Sequence, residues 1–194
     1  MEKGIYTIKE GNREAVGFPC KIPFPNENNL LKVFIANNSI LNEDILNKKN
    51  KNILIHLNGE TKSINLSNRR KYSSKEYNTT IIELKDDDGI QKYLEIDDNL
   101  INDNDNPYLY VGKTIYMIKN ELGILTTTYS IIEKKQKKNQ EYNFIFMINK
   151  KEEPLEGPIF TNNCKLIGLR NLKNHYEEFY NKNKPSMCVG TFLN

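Results

Sequence analysis

Short runs of apolar or alternating residues, each cut off by Pro, Asn, Gly or a charged cluster, follow one another along the whole chain. Runs of this length suit strands and are too short for self-supporting helices. In the first half they cover residues 16–24, 30–36, 52–57, 61–66 and 79–84, and several are rich in Ile, Val, Phe and Tyr. Pro25-Asn26, Asn58-Gly59 and residues 86–89 separate them. Asn58-Gly59, set between Ile53-Leu54-Ile55 and Ile64, predicts a tight hairpin, because a type I′ turn needs positive φ. A second series follows the turn-like stretch 103–107, at residues 108–118, 124–132, 142–148, 158–161, 165–169 and 187–193. Helical signals are confined to residues 40–46 and 174–180. Many short strands with almost no helix predict an all-β sandwich or barrel. Two strand series around a linker near residues 97–107 predict two similar barrels, over residues 1–105 and 106–194.

Composition narrows the function classes. The chain has 194 residues, 38% hydrophobic and 27% charged, which is globular rather than disordered. A net charge of +3, from 28 basic and 25 acidic residues, lacks the excess expected of a nucleic-acid binder. The run Lys134, Lys135, Lys137 and Lys138 lies between two apolar stretches and reads as a solvated hairpin loop, as does Asn68-Arg69-Arg70-Lys71. No apolar stretch approaches the roughly 20 residues that span a bilayer, and residues 1–11 carry no signal-peptide core. Cys20, Cys164 and Cys188 form no CxxC pair, and each lies in or beside an apolar run, so buried free thiols are expected. With two histidines and three scattered cysteines, neither a zinc site nor any other cofactor is expected. Asp86-Asp87-Asp88 and Asp97-Asp98 lack calcium-loop spacing and read as solvated turns.

Four blocks then align in order with one family. Gly17-Phe18-Pro19-Cys20-Lys21-Ile22 resembles the opening strand Gly-Phe-Phe-Cys-Lys-Ile of the chymotrypsin/trypsin-fold proteases, especially their compact intracellular-type members. Residues 33–41, Val-Phe-Ile-Ala-Asn-Asn-Ser-Ile-Leu, resemble the strand and turn Leu-Ile-Thr-Asn-Asn-His-Val-Leu, which puts Ser39 at the catalytic histidine position. Residues 76–83 resemble the Tyr-Asp-Ile-Thr-Ile-Ile-Glu segment, with Asn78 in place of the aspartate. Pro154-Leu155-Glu156-Gly157-Pro158-Ile159 falls where members read Ser-Ser-Gly-Ser-Pro-Ile. Leu155 then takes the nucleophile position, or Glu156 if the alignment shifts by one. Lys165-Leu166-Ile167-Gly168-Leu169 and Gly190-Thr191-Phe192-Leu193 resemble later strands, so the resemblance covers roughly residues 16–193. It implies two antiparallel six-stranded Greek-key barrels, with Ser39, Asn78 and the loop 154–157 meeting at their junction.

Acyl transfer in that family needs an attacking hydroxyl, an imidazole base and a buried carboxylate. Leu155 has no nucleophilic atom, Ser39 binds no proton near neutral pH, and Asn78 carries no charge. Amide for carboxylate alone, in an otherwise intact triad, costs on the order of 10⁴ in kcat. The oxyanion loop is altered too. Glu153 stands where members place glycine, which disfavours the backbone turn that aims N–H groups at the developing charge. Pro154 stiffens that loop and removes an N–H, and Glu156 replaces a second glycine ahead of Gly157. Replacements elsewhere are weak candidates: His56 sits in an apolar strand, His175 in a polar stretch, and Cys164 beside a turn-forming Asn162-Asn163 with no histidine near in sequence.

The resemblance therefore implies a catalytically inactive homologue that binds a protein or an extended peptide in the inherited cleft, with no nucleic acid or membrane partner. Leu169, Arg170 and Asn171, with residues 157–161, are the strand-edge candidates for pairing with such a peptide, and Arg170 could meet an acidic group. Two other readings stand beside it: a hydrolase with reassigned residues, and a structural component whose cleft is closed by Leu155. Glycosylation-type triplets begin at Asn37, Asn65 and Asn78. Glycans on the first and third would obstruct the cleft, so an intracellular location is expected.

Overall fold

The computed structural model describes residues 4–24, 26, 28–48, 51–57, 59–101, 109–121, 124–138, 141–148, 157–170 and 186–192. Strands dominate, and the described helices are single turns: α1 (Glu43–Leu46), a 3₁₀ turn (Asp86–Asp88) and α2 (Asp98–Ile101). None of them is long and apolar enough to cross a membrane. The chain forms two compact units, Met1–Glu95 with Leu122–Ile124, and Ile96–Glu121 with Leu125–Asn194. The second unit begins ahead of the expected 105/106 boundary. Ile96 makes a parallel bridge to Leu166, and the Asp97 N–H donates to the Leu166 carbonyl at 2.9 Å, so this segment is tied to the second sheet.

The first unit holds β1 (Tyr6–Glu10), β2 (Arg13–Pro23), β3 (Leu30–Asn37), β4 (Asn52–Leu57), β5 (Glu60–Asn65), β6 (Lys71–Ser74) and β7 (Thr79–Glu83) in one antiparallel sheet ordered β5-β4-β1-β2-β3-β7-β6. Period-2 alternation sends Tyr6, Ile8, Phe34, Ile53, Ile55, Ile64 and Ile82 into one core. The β4–β5 hairpin closes with Leu57 opposite Glu60, and Gly59 takes φ +83°. Asn58 lies outside the described residues. The sheet has seven strands where six were expected. Asn68, at φ +54°, lies in the turn between β5 and β6. Those two are consecutive in sequence yet stand at opposite ends of the sheet order, so residues 66–70 carry the chain across the seam.

At that seam Asn68, Arg70 and Lys71 are exposed, as a solvated stretch requires, but the Arg69 side chain is not. Arg69 forms a two-pronged ion pair with Asp88 at 2.5 and 2.7 Å, with side chains only 5% and 4% exposed. A guanidinium fork matches a carboxylate well enough to be buried with it.

The second unit closes into a six-stranded barrel ordered β10-β13-β12-β11-β8-β9. Its strands are β8 (Thr114–Glu121), β9 (Ile124–Lys138), β10 (Glu141–Ile148), β11 (Pro158–Thr161), β12 (Leu166–Arg170) and β13 (Ser186–Phe192). Ile115, Met117, Ile132, Phe146, Ile159 and Ile167 fill it. The lysine run is strand, not loop: Lys138 pairs with Glu141, Lys137 with Tyr142, Lys135 with Phe144 and Lys134 with Ile145. Continuous pairing with β10 overrides the low strand preference of lysine. The expected turn at Asn162-Asn163 is present and ends on Cys164 at φ +62°, with the Cys164 N–H donating to the Thr161 carbonyl at 3.0 Å.

The acidic clusters are not simply solvated. Asp88 is buried against Arg69. Asp97 is 9% exposed and accepts from the Tyr110 hydroxyl at 2.9 Å and from the Asn99 side chain at 2.8 Å. Burial first, and then this bond to Asp97, push the Tyr110 phenol up from its ordinary range.

Candidate functional site

The site is built where β3 ends beside the start of β7. Asn37 pairs with Thr79 in register, and the chain then turns tightly, with the Ile40 and Leu41 N–H groups donating to the Asn37 carbonyl at 3.2 and 3.1 Å. From the other side, the turn between β6 and β7 ends on Asn78 at φ +48°. Asparagine is among the few residues with a side chain that accept this left-handed conformation readily. Asn78 thereby meets the β3 turn twice. Its carbonyl accepts the Asn38 N–H at 3.0 Å, and its side-chain Oδ1 accepts the Ser39 N–H at 3.0 Å.

A wider net supports this corner. The Asn38 Nδ2 donates to the Ser73 hydroxyl and, at 3.4 Å, to the Thr80 hydroxyl, which itself donates to the Leu41 carbonyl. Arg13 reaches the Ser39 carbonyl at 2.9 Å. Ser39 is exposed, whereas Asn37 and Asn78 are each 1% exposed. The Asn37 Nδ2 is a buried donor without a partner among the described residues. Ser39 and Asn78, aligned above with histidine and aspartate, are thus brought together. Among the described residues, the groups joined by these bonds are amides and hydroxyls, together with the Arg13 guanidinium. Such groups orient one another, but none exchanges a proton near neutral pH.

Glu153, Pro154, Leu155 and Glu156 lie outside the described residues. Gly157 is described, just before β11. A Cβ there would stand 2.5 Å from the Ile118 carbonyl oxygen, so only glycine fits.

The strand-edge candidates are corrected. Leu169 and Arg170 are 4% and 5% exposed, and β12 has a neighbour on both sides. Leu169 pairs with Pro158 and Thr191, and Arg170 pairs with Gly190 while its N–H donates to the Gly157 carbonyl at 3.0 Å. Residues Pro158–Thr161 are likewise flanked, by β12 and β8. Barrel closure has used these backbone groups, and the guanidinium of Arg170 is buried rather than offered to solvent. Asn171 lies outside the described residues.

The remaining candidates fall apart spatially or chemically. His56 sits on β4, three strands from β3 in the sheet order, and its Nδ1 lies 2.8 Å from the Thr61 hydroxyl. His175 and the side chain of Cys188 are outside the described residues. Cys20 is buried, and burial pushes its thiol up to about 12. Cys164, expected to be buried, is exposed, because a hairpin turn must put its tip residues in solvent. No group of three or more His, Cys, Asp or Glu side chains among the described residues could hold a metal ion.

Solved structures give the fold its place. The chain superposes on a serine protease of human pathogenic astrovirus with a TM-score of 0.57 at 8% identity, covering all of this chain and 91% of that one. It matches the HtrA-type protease AlgW, solved with a tripeptide, at TM-score 0.57 and 13% identity, covering 99% of this chain and 56% of that one. Catalytically inactive tobacco etch virus protease, complexed with substrate, matches at TM-score 0.54 and 9% identity, covering 100% and 78%. No family model and no curated protein matches the sequence. The two curled antiparallel sheets are the two-barrel fold of the trypsin-like serine proteases.

Proposed function

We propose that this protein is a catalytically inactive homologue of the trypsin-like serine proteases and acts by binding a protein or an extended peptide. The observation that carries the reading is the bond from the Ser39 N–H to the Asn78 Oδ1 at 3.0 Å. It joins the two positions that the resemblance aligns with the catalytic base and its carboxylate, and it joins them as a structural tie between uncharged groups. Leu155 or Glu156 at the nucleophile position supports the same reading, since neither supplies a hydroxyl or thiol.

An intracellular site fits this reading. Asn37 and Asn78, two of the three glycosylation-type acceptors, are each 1% exposed and have no room for a glycan. A second reading, a hydrolase with reassigned residues, draws on the similar structures, which are described as proteases. Panning a random peptide library against the intact chain tests the binding function. Enrichment of a consensus that competes as free peptide supports it. Failure to enrich any sequence, with the fold verified by circular dichroism, favours the purely structural alternative.

A further inference from the structure

The first sheet differs from the second in how it is closed. The second is a closed ladder of six strands; in the first, β5 and β6 stand at opposite ends of the ladder order and are connected by residues 66–70. Arg69 lies in that crossing and bonds to three separate elements. Its Nε donates to the Asn65 carbonyl at the end of β5, and one terminal nitrogen donates to the Glu83 carbonyl at the end of β7 at 3.1 Å. The fork then grips Asp88 in the 3₁₀ turn. Asp88 in turn accepts the Lys85 N–H at 2.7 Å, which holds the turn in shape. Lys62 on β5 donates to the Gly89 carbonyl just beyond it.

We propose that the Arg69–Asp88 pair is a latch across this seam, and that residues 66–70, β6 and the 3₁₀ turn can open together while β2 and β3 stay folded. Ladder hydrogen bonds hold β2 to both β1 and β3, and β3 to both β2 and β7, whereas β5 and β6 each have a single ladder partner. Regions with fewer such ties open at lower cost than the global transition. The latch also positions the candidate site, because β6 carries Ser73 and leads into the turn that presents Asn78 to Asn38 and Ser39.

Native-state hydrogen exchange on the full chain tests this. The Leu66 N–H, bound to the Lys51 carbonyl at 2.9 Å, and the Glu83 N–H, bound to the Arg70 carbonyl at 3.0 Å, are the reporters. In Asp88→Asn these two should exchange at least tenfold faster, with the amides of β2 and β3 changed less than twofold. The paired change Arg69→Leu with Asp88→Leu should also leave the reporters exchanging faster than in the unaltered protein, because it removes the Arg69 bonds to the Asn65 and Glu83 carbonyls together with the ion pair. Equal acceleration throughout the sheet, or none at the reporters, overturns the proposal. Should these variants fail to fold, the unaltered protein decides. Its reporter amides should exchange with a weaker denaturant dependence than those of β2 and β3, and identical dependence overturns the latch.

Discussion

Asn78 holds an unusual backbone conformation and a hydrogen bond at once. The left-handed φ of +48° turns its Oδ1 toward the Ser39 N–H. Asn78→Ala removes the acceptor and puts a methyl side chain in a strained region, a combined cost of about 2 kcal/mol. Asn78→Gly relieves the strain and should cost about half as much, measured by urea denaturation. Equal losses in the two variants would show that backbone strain has no part in it. From sequence, this residue was legible only through its alignment with the aspartate of the family it resembles. Its role as a tie was not, because positive φ in a short turn leaves no mark on hydrophobic periodicity. The cysteines show the same limit. Apolar neighbours mark Cys20 correctly as buried and Cys164 wrongly, since the turn that exposes Cys164 depends on where the β11–β12 register ends. A maleimide or disulfide reagent at pH 8 should therefore modify Cys164 in the folded protein and leave Cys20 untouched until unfolding. The Cys20 thiol moves from 9.0 to about 12 on folding. Its contribution to stability is full below about pH 9 and is lost as pH rises through about 12. Rapid modification of Cys20 in the native state would contradict its burial.

Among the elements, strands with strong alternation were recovered nearly to the residue, as at β4 (Asn52–Leu57) and β11 (Pro158–Thr161). β1 and β6 were missed for different reasons. Tyr6 and Ile8 do alternate with polar residues, but the surrounding charge conceals a strand with only two core-facing side chains. β6, Lys71–Ser74, has no hydrophobic alternation, and its pairing with β7 holds it in the sheet. The 3₁₀ turn is a further case in which acidic residues read as solvent-facing take specific partners. Lys32 of β3 bonds to Asp86 of the turn, and that bond, reinforced by the attraction of the two charges, holds the Asp86 carboxyl below its usual range. The folded value is lowered, so any stabilisation from the pair is present above the ordinary carboxylate range and fades as pH falls through the folded value. A carboxyl titration followed by NMR should place Asp86 below an ordinary aspartate, and Lys32→Gln should return it upward. An unchanged titration in that variant would remove the pair as the cause.

For the molecule as a whole, two all-β units were legible because strand period and turn residues repeat in both halves. The seam in the first sheet was not, since it depends on one left-handed asparagine and one buried ion pair far apart in sequence. Of the candidate site, the adjacency of Ser39 and Asn78 was readable. Order-preserving blocks put those two residues together, whereas the pairing of β12 on both sides, which encloses Leu169 and Arg170, was not readable. The central claim is that the inherited catalytic chemistry is absent. Its most direct measurement is reaction of the purified protein with a fluorophosphonate probe, read by intact mass, alongside turnover of a fluorogenic peptide panel. The account predicts no probe adduct and no turnover above buffer. Stoichiometric labelling of a single serine that disappears on heat denaturation would contradict it.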